Sequence, residues 1–275
     1  MAQFLIKNDG FFNPQDTLEC GQIFRYKKLN TDCFSVVSLD KTAKIFLSDD
    51  GWVVECDDVE YFKNFFDLNT DYGQIVSQLS STGEIMQKAV LAGKGIRILR
   101  QNLVEMIISF IISANNNIKR IQLIIEKMCM ALGKPIANGE YAFPELKALA
   151  SQTSEFFVSI GAGYRAEYLA QTCKNLYESF DFEALKNADT PTARKILLGL
   201  KGVGPKVADC ILLFGYHRTD VFPVDVWTER VYDGLFGVKD YTPERKADIL
   251  CSYFGNMSGY AQQYLYYYYR ENNIK

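Results

Sequence analysis

Apolar residues alternate or cluster in short β-rich runs at the start of the chain, and a period near 3.6 replaces them further on. Residues 23–29, 33–39, 42–48 and 52–56 are rich in β-branched and aromatic side chains. Asn30-Thr31-Asp32, Asp40-Lys41 and Asp49-Asp50-Gly51 separate them, so residues 1–57 predict an antiparallel meander. From Val59 the pattern turns helical. Residues 59–69 are amphipathic, residues 72–79 predict another helix, and residues 103–112 are apolar on nearly every side. That last run predicts a buried central helix. It stops at Ser113-Ala114-Asn115-Asn116-Asn117, and Ile118-Lys119-Arg120 opens a further helix to about Met130. Phe143-Pro144-Glu145 and Gly161-Ala162-Gly163-Tyr164-Arg165 mark later joints. Residues 258–270 read as a tyrosine-rich helix, with Gln262 and Tyr266 four apart on one face. The predicted class is α+β. An N-terminal antiparallel β-sheet domain, residues 1–75, packs on an all-helical body, residues 76–275.

The chemistry concentrates between Leu197 and Val231. A helical pattern ends at Leu200, with Thr190 and Pro191 as its expected cap and first turn. Gly202-Val203-Gly204 then permits a tight turn, and Pro205 suits the first turn of the next helix. This helix-hairpin-helix spans about residues 193–215. Its exposed N–H groups at a helix N-terminus suit a phosphate. A Gly-x-Gly between helices also serves in simple corners, and the hairpin alone leaves both readings open. Val221-Phe222-Pro223-Val224 is extended, and Asp225 falls at the N-cap of a helix over residues 226–236. Cys210, one turn after Lys206, is a candidate pocket residue or a small buried filler. Lys94, Arg97 and Arg100 form a small basic cluster, either a phosphate patch or a solvated face.

Composition narrows the classes. The net charge is −3 over 275 residues, so a polyanion would have to be met by a local patch and helix N-termini. The seven cysteines stand singly, odd in number and without a CxxC, which argues against a disulfide framework or a zinc site. One histidine, His217, cannot build a metal site or a hydrolase triad alone. No leader-like or membrane-length apolar run stands out, so the expectation is a cytoplasmic protein without a membrane partner.

LKGVGPKVADC followed by FPVDVW resembles the helix-hairpin-helix, Gly-Pro-Asp superfamily of DNA glycosylases. The resemblance implies that Lys206 is the nucleophile and Asp225 the second catalytic group. A lysine amine can attack the sugar C1′, displace the base and form a Schiff base that permits strand cleavage. It must be neutral to attack, and the helix N-terminus together with burial is expected to lower its pKa. A carboxylate beside the sugar would stabilise developing positive charge. Some relatives carry four closely spaced cysteines for an iron–sulfur cluster after the aspartate. Only Cys251 follows Asp225 here, so no such cluster is expected.

CGQIFRY, GIRILRQN, FIISANNNIKRI, GAGYRAEYL and GYAQQYLY extend the likeness over nearly the whole chain. Their order resembles the 8-oxoguanine DNA glycosylases of the eukaryotic kind. The implied lesion pocket is Gly21, whose carbonyl meets the base, with Gln262, Tyr266, Phe214 and Cys210. Contacts to DNA and the estranged cytosine fall to Asn115, Arg120, Tyr164 and Arg165. The implied activity is excision of 8-oxoguanine from duplex DNA with associated lyase cleavage, by a monomer working where the DNA is. It requires no cofactor; a monovalent cation at the hairpin is compatible. Trp227, Phe214 and Tyr266 depart from the histidine, methionine and phenylalanine that relatives often carry. On sequence alone, Gly21 also reads as a bulge glycine or one opening a strand.

Overall fold

The computed structural model describes residues 1–237 and 241–272. Five strands form one antiparallel sheet in the order β1-β5-β4-β3-β2. They are β1 (Ala2–Lys7), β2 (Tyr26–Asn30), β3 (Cys33–Ser38), β4 (Lys41–Ser48) and β5 (Gly51–Cys56). From β2 onward each strand pairs with its sequence neighbour, as the intervening turns predict. Phe34, Ile45 and Val54 lie in register across β3, β4 and β5, and all three are fully buried.

The structure corrects the N-terminal reading in three places. β1 pairs with β5 far along the chain, so no local turn announces it. Residues 14–19 are a helix, α1 (Pro14–Glu19), capped by the Asn13 side chain. The run at 23–29 becomes a strand only at Tyr26. Ile23 and Phe24 are apolar because they are buried.

Helices supply the rest. They begin with α2 (Val59–Phe65), α3 (Tyr72–Ser80), α4 (Glu84–Ala92), α5 (Leu103–Ser113) and α6 (Ile118–Leu132). Next come the short α7 (Leu146–Ala150) and α8 (Ser154–Ser159), then α9 (Ala166–Glu178) and α10 (Phe182–Asn187). The chain continues through α11 (Thr190–Leu198), α12 (Pro205–Tyr216), α13 (Val226–Phe236), α14 (Pro243–Phe254) and α15 (Ser258–Glu271). α5 is buried from Glu105 to Ile112, as its uniform apolarity predicts. The cap of α11 is Asp189 rather than Thr190.

Of the basic cluster at 91–100, Lys94 is exposed over the Phe11 ring, whereas Arg97 and Arg100 are tied into the fold and form no solvated face. α4 ends at Ala92, and an irregular segment follows. Arg97 is buried and donates to the carbonyls of Phe11 (2.9 Å) and Asp67 (2.8 Å). Arg100 pairs with the buried Asp67 carboxylate at 2.7 Å. These cations join the sheet to the helical body. Arg25 and the buried Glu105 make a second bolt, 3.6 Å apart. Apolar packing also crosses this boundary. Cys20 and Phe24 belong to the large helical core, whereas Leu99 belongs to the smaller core under the sheet. The loop carrying Gly21 is thereby delivered to the helices.

Candidate active site

The hairpin between α11 and α12 depends on glycine for two reasons. Gly202 has φ +83°, and a Cβ there would lie 2.8 Å from Tyr168 Cβ. Thr172 Oγ1 donates to the Lys201 carbonyl at 2.7 Å, which ties the turn to α9. Val203 is buried. Gly204 is the N-cap of α12 and offers no side-chain acceptor, with Pro205 next. The first-turn N–H groups are therefore uncapped, and the helix dipole adds positive potential there.

Lys206 stands in this first turn. Its Nζ lies 5.5 Å over the ring of Phe110, which projects from α5. Phe110 in turn stacks on Phe214 (5.6 Å, 16°) and meets Phe24 edge-on (5.7 Å). No local signal marks Phe110, because it is one of many buried apolar residues in α5. The expected lowering of the lysine pKa is not found. Burial pushes it down, but Cys210 and Asp225 push it up and prevail, leaving it above the ordinary lysine value. Burial also raises the Cys210 thiol to about 11. The nucleophile is an ammonium until it loses a proton.

Asp225 is a cap and has capacity beyond it. Its Oδ1 accepts from the N–H groups of Trp227 and Thr228, both at 3.0 Å. Its own N–H donates to Thr228 Oγ1 at 2.6 Å, closing a capping box. Oδ2 makes no hydrogen bond to the described residues, so one oxygen holds the helix and the other is available. The preceding Val221, Phe222 and Val224 are buried and fix the approach.

Gly21 proves to follow a helix, not to open a strand. It is the residue after the α1 C-cap, Cys20, and has φ +83°, the left-handed position that commonly ends helices. A Cβ there would lie 3.5 Å from the Tyr266 hydroxyl, so the loop abuts α15. Its flanks are pinned. Gln263 Nε2 donates to the Cys20 carbonyl at 3.0 Å. Gln22 is buried, donating to the carbonyls of Thr17 and Arg97 and accepting from Leu99 N–H. The Gly21 carbonyl receives no hydrogen bond from the described residues. Gln262 is buried, and its Oε1 has no partner. Such an orphaned acceptor is costly unless a ligand pairs with it. Burial raises the Tyr266 phenol, which also feels Asp225 and Lys206. Tyr266 thus reaches both Gly21 and Lys206, Cys210 lies beside Lys206, Phe214 joins through Phe110, and Gln262 lies one turn before Tyr266 on α15.

A second cluster gathers Asn115, Arg120, Tyr164 and Arg165. Asn115 has φ +49° and is exposed. Arg120 is exposed and reaches the Gly161 carbonyl at 3.3 Å, so the two loops meet. Tyr164 is 57 % exposed and donates to the Ala114 carbonyl. Arg165 departs from the expected surface contact. It is 3 % exposed, and its guanidinium donates to the carbonyls of Ala114, Asn115 and Ala162. In this state it holds the 114–115 backbone; meeting a base would require breaking those bonds. Trp227 is half-buried beside Asp225.

Among the described residues, no group of three or more His, Cys, Asp and Glu is placed to hold a metal. No helix among them is long and apolar enough to cross a membrane. A cavity of about 730 Å³ opens elsewhere, between β2, β3 and α6, and none of the site residues lines it.

Comparison with known proteins places the chain in a family. Residues 4–107 match the 8-oxoguanine DNA glycosylase N-terminal domain. Residues 108–253 match the HhH-GPD superfamily of base excision DNA repair proteins. A probable N-glycosylase/DNA lyase of Methanothermobacter thermautotrophicus is 31 % identical over 238 residues, 78 % of this chain and 76 % of that one. The N-glycosylase/DNA lyase of Saccharomyces cerevisiae is 36 % identical over 159 residues, 52 % of this chain and 42 % of the yeast protein. The Clostridium acetobutylicum 8-oxoguanine glycosylase/lyase, solved with double-stranded DNA containing cytosine opposite 8-oxoG, superposes with a TM-score of 0.92. That pair is 36 % identical, covering 98 % of this chain and 94 % of the other.

Proposed function

The chain belongs to the 8-oxoguanine DNA glycosylase family, within the HhH-GPD superfamily of base excision DNA repair proteins, and on that premise we propose how its residues divide the work. The activity is excision of 8-oxoguanine with associated lyase cleavage. The observation that carries the assignment of roles is the placing of Lys206. It stands at an uncapped helix N-terminus, close enough to Asp225, Cys210 and Tyr266 to feel them, and Gln262, one turn from Tyr266, has an unpaired buried oxygen.

In this reading the damaged nucleotide leaves the stack and its base enters between Gly21 and Phe214. The Gly21 carbonyl accepts the hydrogen that the lesion carries at N7. Normal guanine has a lone pair there, so the same carbonyl repels it. Gln262 addresses the base edge, and Tyr266 and Phe214 flank its ring. Lys206, once deprotonated, forms a bond from Nζ to C1′ as the glycosidic bond breaks, and the base leaves with the electron pair. Asp225 Oδ2 faces the positive charge that develops on the sugar. Opening of the sugar ring gives the Schiff base; loss of a C2′ proton then expels the 3′-phosphate.

The hairpin segment Gly202-Val203-Gly204 holds a backbone phosphate, with a monovalent cation as its partner and no iron–sulfur cluster. Asn115 and Arg120 meet the estranged cytosine, Tyr164 sits at the gap, and Arg165 joins them after releasing its loop carbonyls. The protein acts as a monomer, on DNA in the cell interior. The test is excision from duplexes bearing 8-oxoguanine or other oxidised and alkylated bases opposite each normal base. The expected result is selective excision of 8-oxoguanine, fastest opposite cytosine. Equal or better excision of an alkylated base would overturn the pocket assignment.

A further inference from the structure

Two residues past Asp225 stands Trp227, which neither the lesion pocket nor the proton chemistry uses. Its neighbour Val226 is 69 % exposed. The Trp227 N–H is fixed by Asp225 Oδ1 at 3.0 Å, and its side chain is half-buried. Arg230, one turn along α13, lays its guanidinium over the indole at 4.6 Å from the centroid. An apolar residue and a flat aromatic ring, backed by a cation, thus open the helix that Asp225 caps. Asp225 is close enough to Lys206 to stabilise its charge. The ring is therefore held two residues from a carboxylate that is itself near Lys206.

We propose that Trp227, braced by Arg230, is a stacking platform for a nucleotide of the damaged strand next to the extruded one. The proposal rests on the DNA-glycosylase reading of the site. Extruding a base leaves its neighbour with an uncovered π-face, and an aromatic side chain can replace the lost stacking. The guanidinium behind the ring holds the indole by a cation–π contact. It also brings positive charge to a strand whose backbone is anionic, in a protein of net charge −3.

The chain provides its own reporter, because it has only two tryptophans. Trp52 lies in β5 and packs edge-on against Phe34, away from the site. A Trp52→Phe protein leaves Trp227 as the sole indole, with activity unchanged. It is titrated with a duplex carrying a tetrahydrofuran abasic analogue, which the enzyme cannot process. The expected result is marked quenching of the emission on binding. Trp227→Ala should weaken the same duplex by about 5- to 50-fold, and Trp227→Phe should restore most of the affinity. Unquenched emission with DNA bound would overturn the platform. So would Trp227→Ala affinity within twofold of the parent, or Trp227→Phe as weak as the alanine variant. The quenching arm decides the matter even if Trp227→Ala folds poorly. Borohydride trapping on a lesion duplex separates the two readings: a protein that is quenched but never trapped loses the Lys206 assignment and keeps the platform.

Discussion

At the scale of single residues, the ammonium of Lys206 has the most direct consequence. Its pKa lies above the ordinary lysine value because Cys210 and Asp225 outweigh burial. A raised pKa means that the neutral amine is the minor form at pH 7. Single-turnover excision should therefore climb from neutral toward alkaline pH, with log rate rising about one unit per pH unit. Asp225→Asn keeps the cap, since asparagine caps as well as aspartate, but removes the carboxylate. Its rate should be much lower, and its profile should level off at lower pH. A flat profile in the parent would show that deprotonation of Lys206 does not limit the reaction. Gln262 gives a second expectation. Its buried Oε1 lacks a partner, so Gln262→Met should hold or raise the melting temperature while weakening the preference for lesion over undamaged duplex. Thermal melts and competition binding check this; a destabilised variant with intact preference would contradict it. Gly21 cannot be tested as simply. At φ +83° any side chain is strained by about 1–2 kcal/mol, so loss of activity in Gly21→Ala would mix strain with chemistry.

At the scale of elements, the loop after α5 and the loop before α9 act together. Arg120 is exposed, with one long bond to Gly161, whereas Arg165 is buried among three carbonyls. Arg120→Ala should change the ratio of excision across the four opposite bases and leave stability within about 0.5 kcal/mol. Arg165→Ala should cost about 1–3 kcal/mol, because it strands buried carbonyls. Denaturant melts beside opposite-base assays separate them; equal stability losses would refute the distinction. On the back of α12, Asp209 is buried against Arg194 at 2.6 Å. Burial outweighs the guanidinium and raises this carboxyl to about 7. A carboxyl whose folded pKa lies above its unfolded value near 3.8 favours the folded state at low pH. That contribution falls as pH rises toward about 7. Unfolding midpoints of Asp209→Asn should therefore fall less between pH 5 and 8 than those of the parent. Identical slopes would mean that Asp209 is ionised throughout.

Much at this scale could be read from the chain. α12 and α13 carry their own start signals, and β3 to β5 carry their turns. β1 and α1 could not be read, because one depends on a distant partner and the other is a single capped turn and a half. Arg97 and Arg100 were misleading for the same reason. Their partner is Asp67, whose burial is a property of the fold and not of its neighbours in sequence.

At the scale of the whole molecule, the site is a closure of the chain on itself. Gly21 comes from the N-terminal part, Phe110 from the middle, Lys206 and Asp225 from the hairpin region, and Gln262 and Tyr266 from the last helix. The motif residues were visible, because glycine turns, a cap and an i,i+4 pair have local signatures. Phe110 and the role of Gln22 were not, since packing alone defines them. The central claim is that Lys206 is the amine that bonds to C1′. Its most direct test is borohydride trapping on a duplex carrying 8-oxoguanine opposite cytosine, followed by proteolysis and mapping of the adduct. The expected result is one adduct, on Lys206, absent from a Lys206→Gln protein that still binds the duplex. An adduct on another amine, or trapping that survives Lys206→Gln, would contradict it.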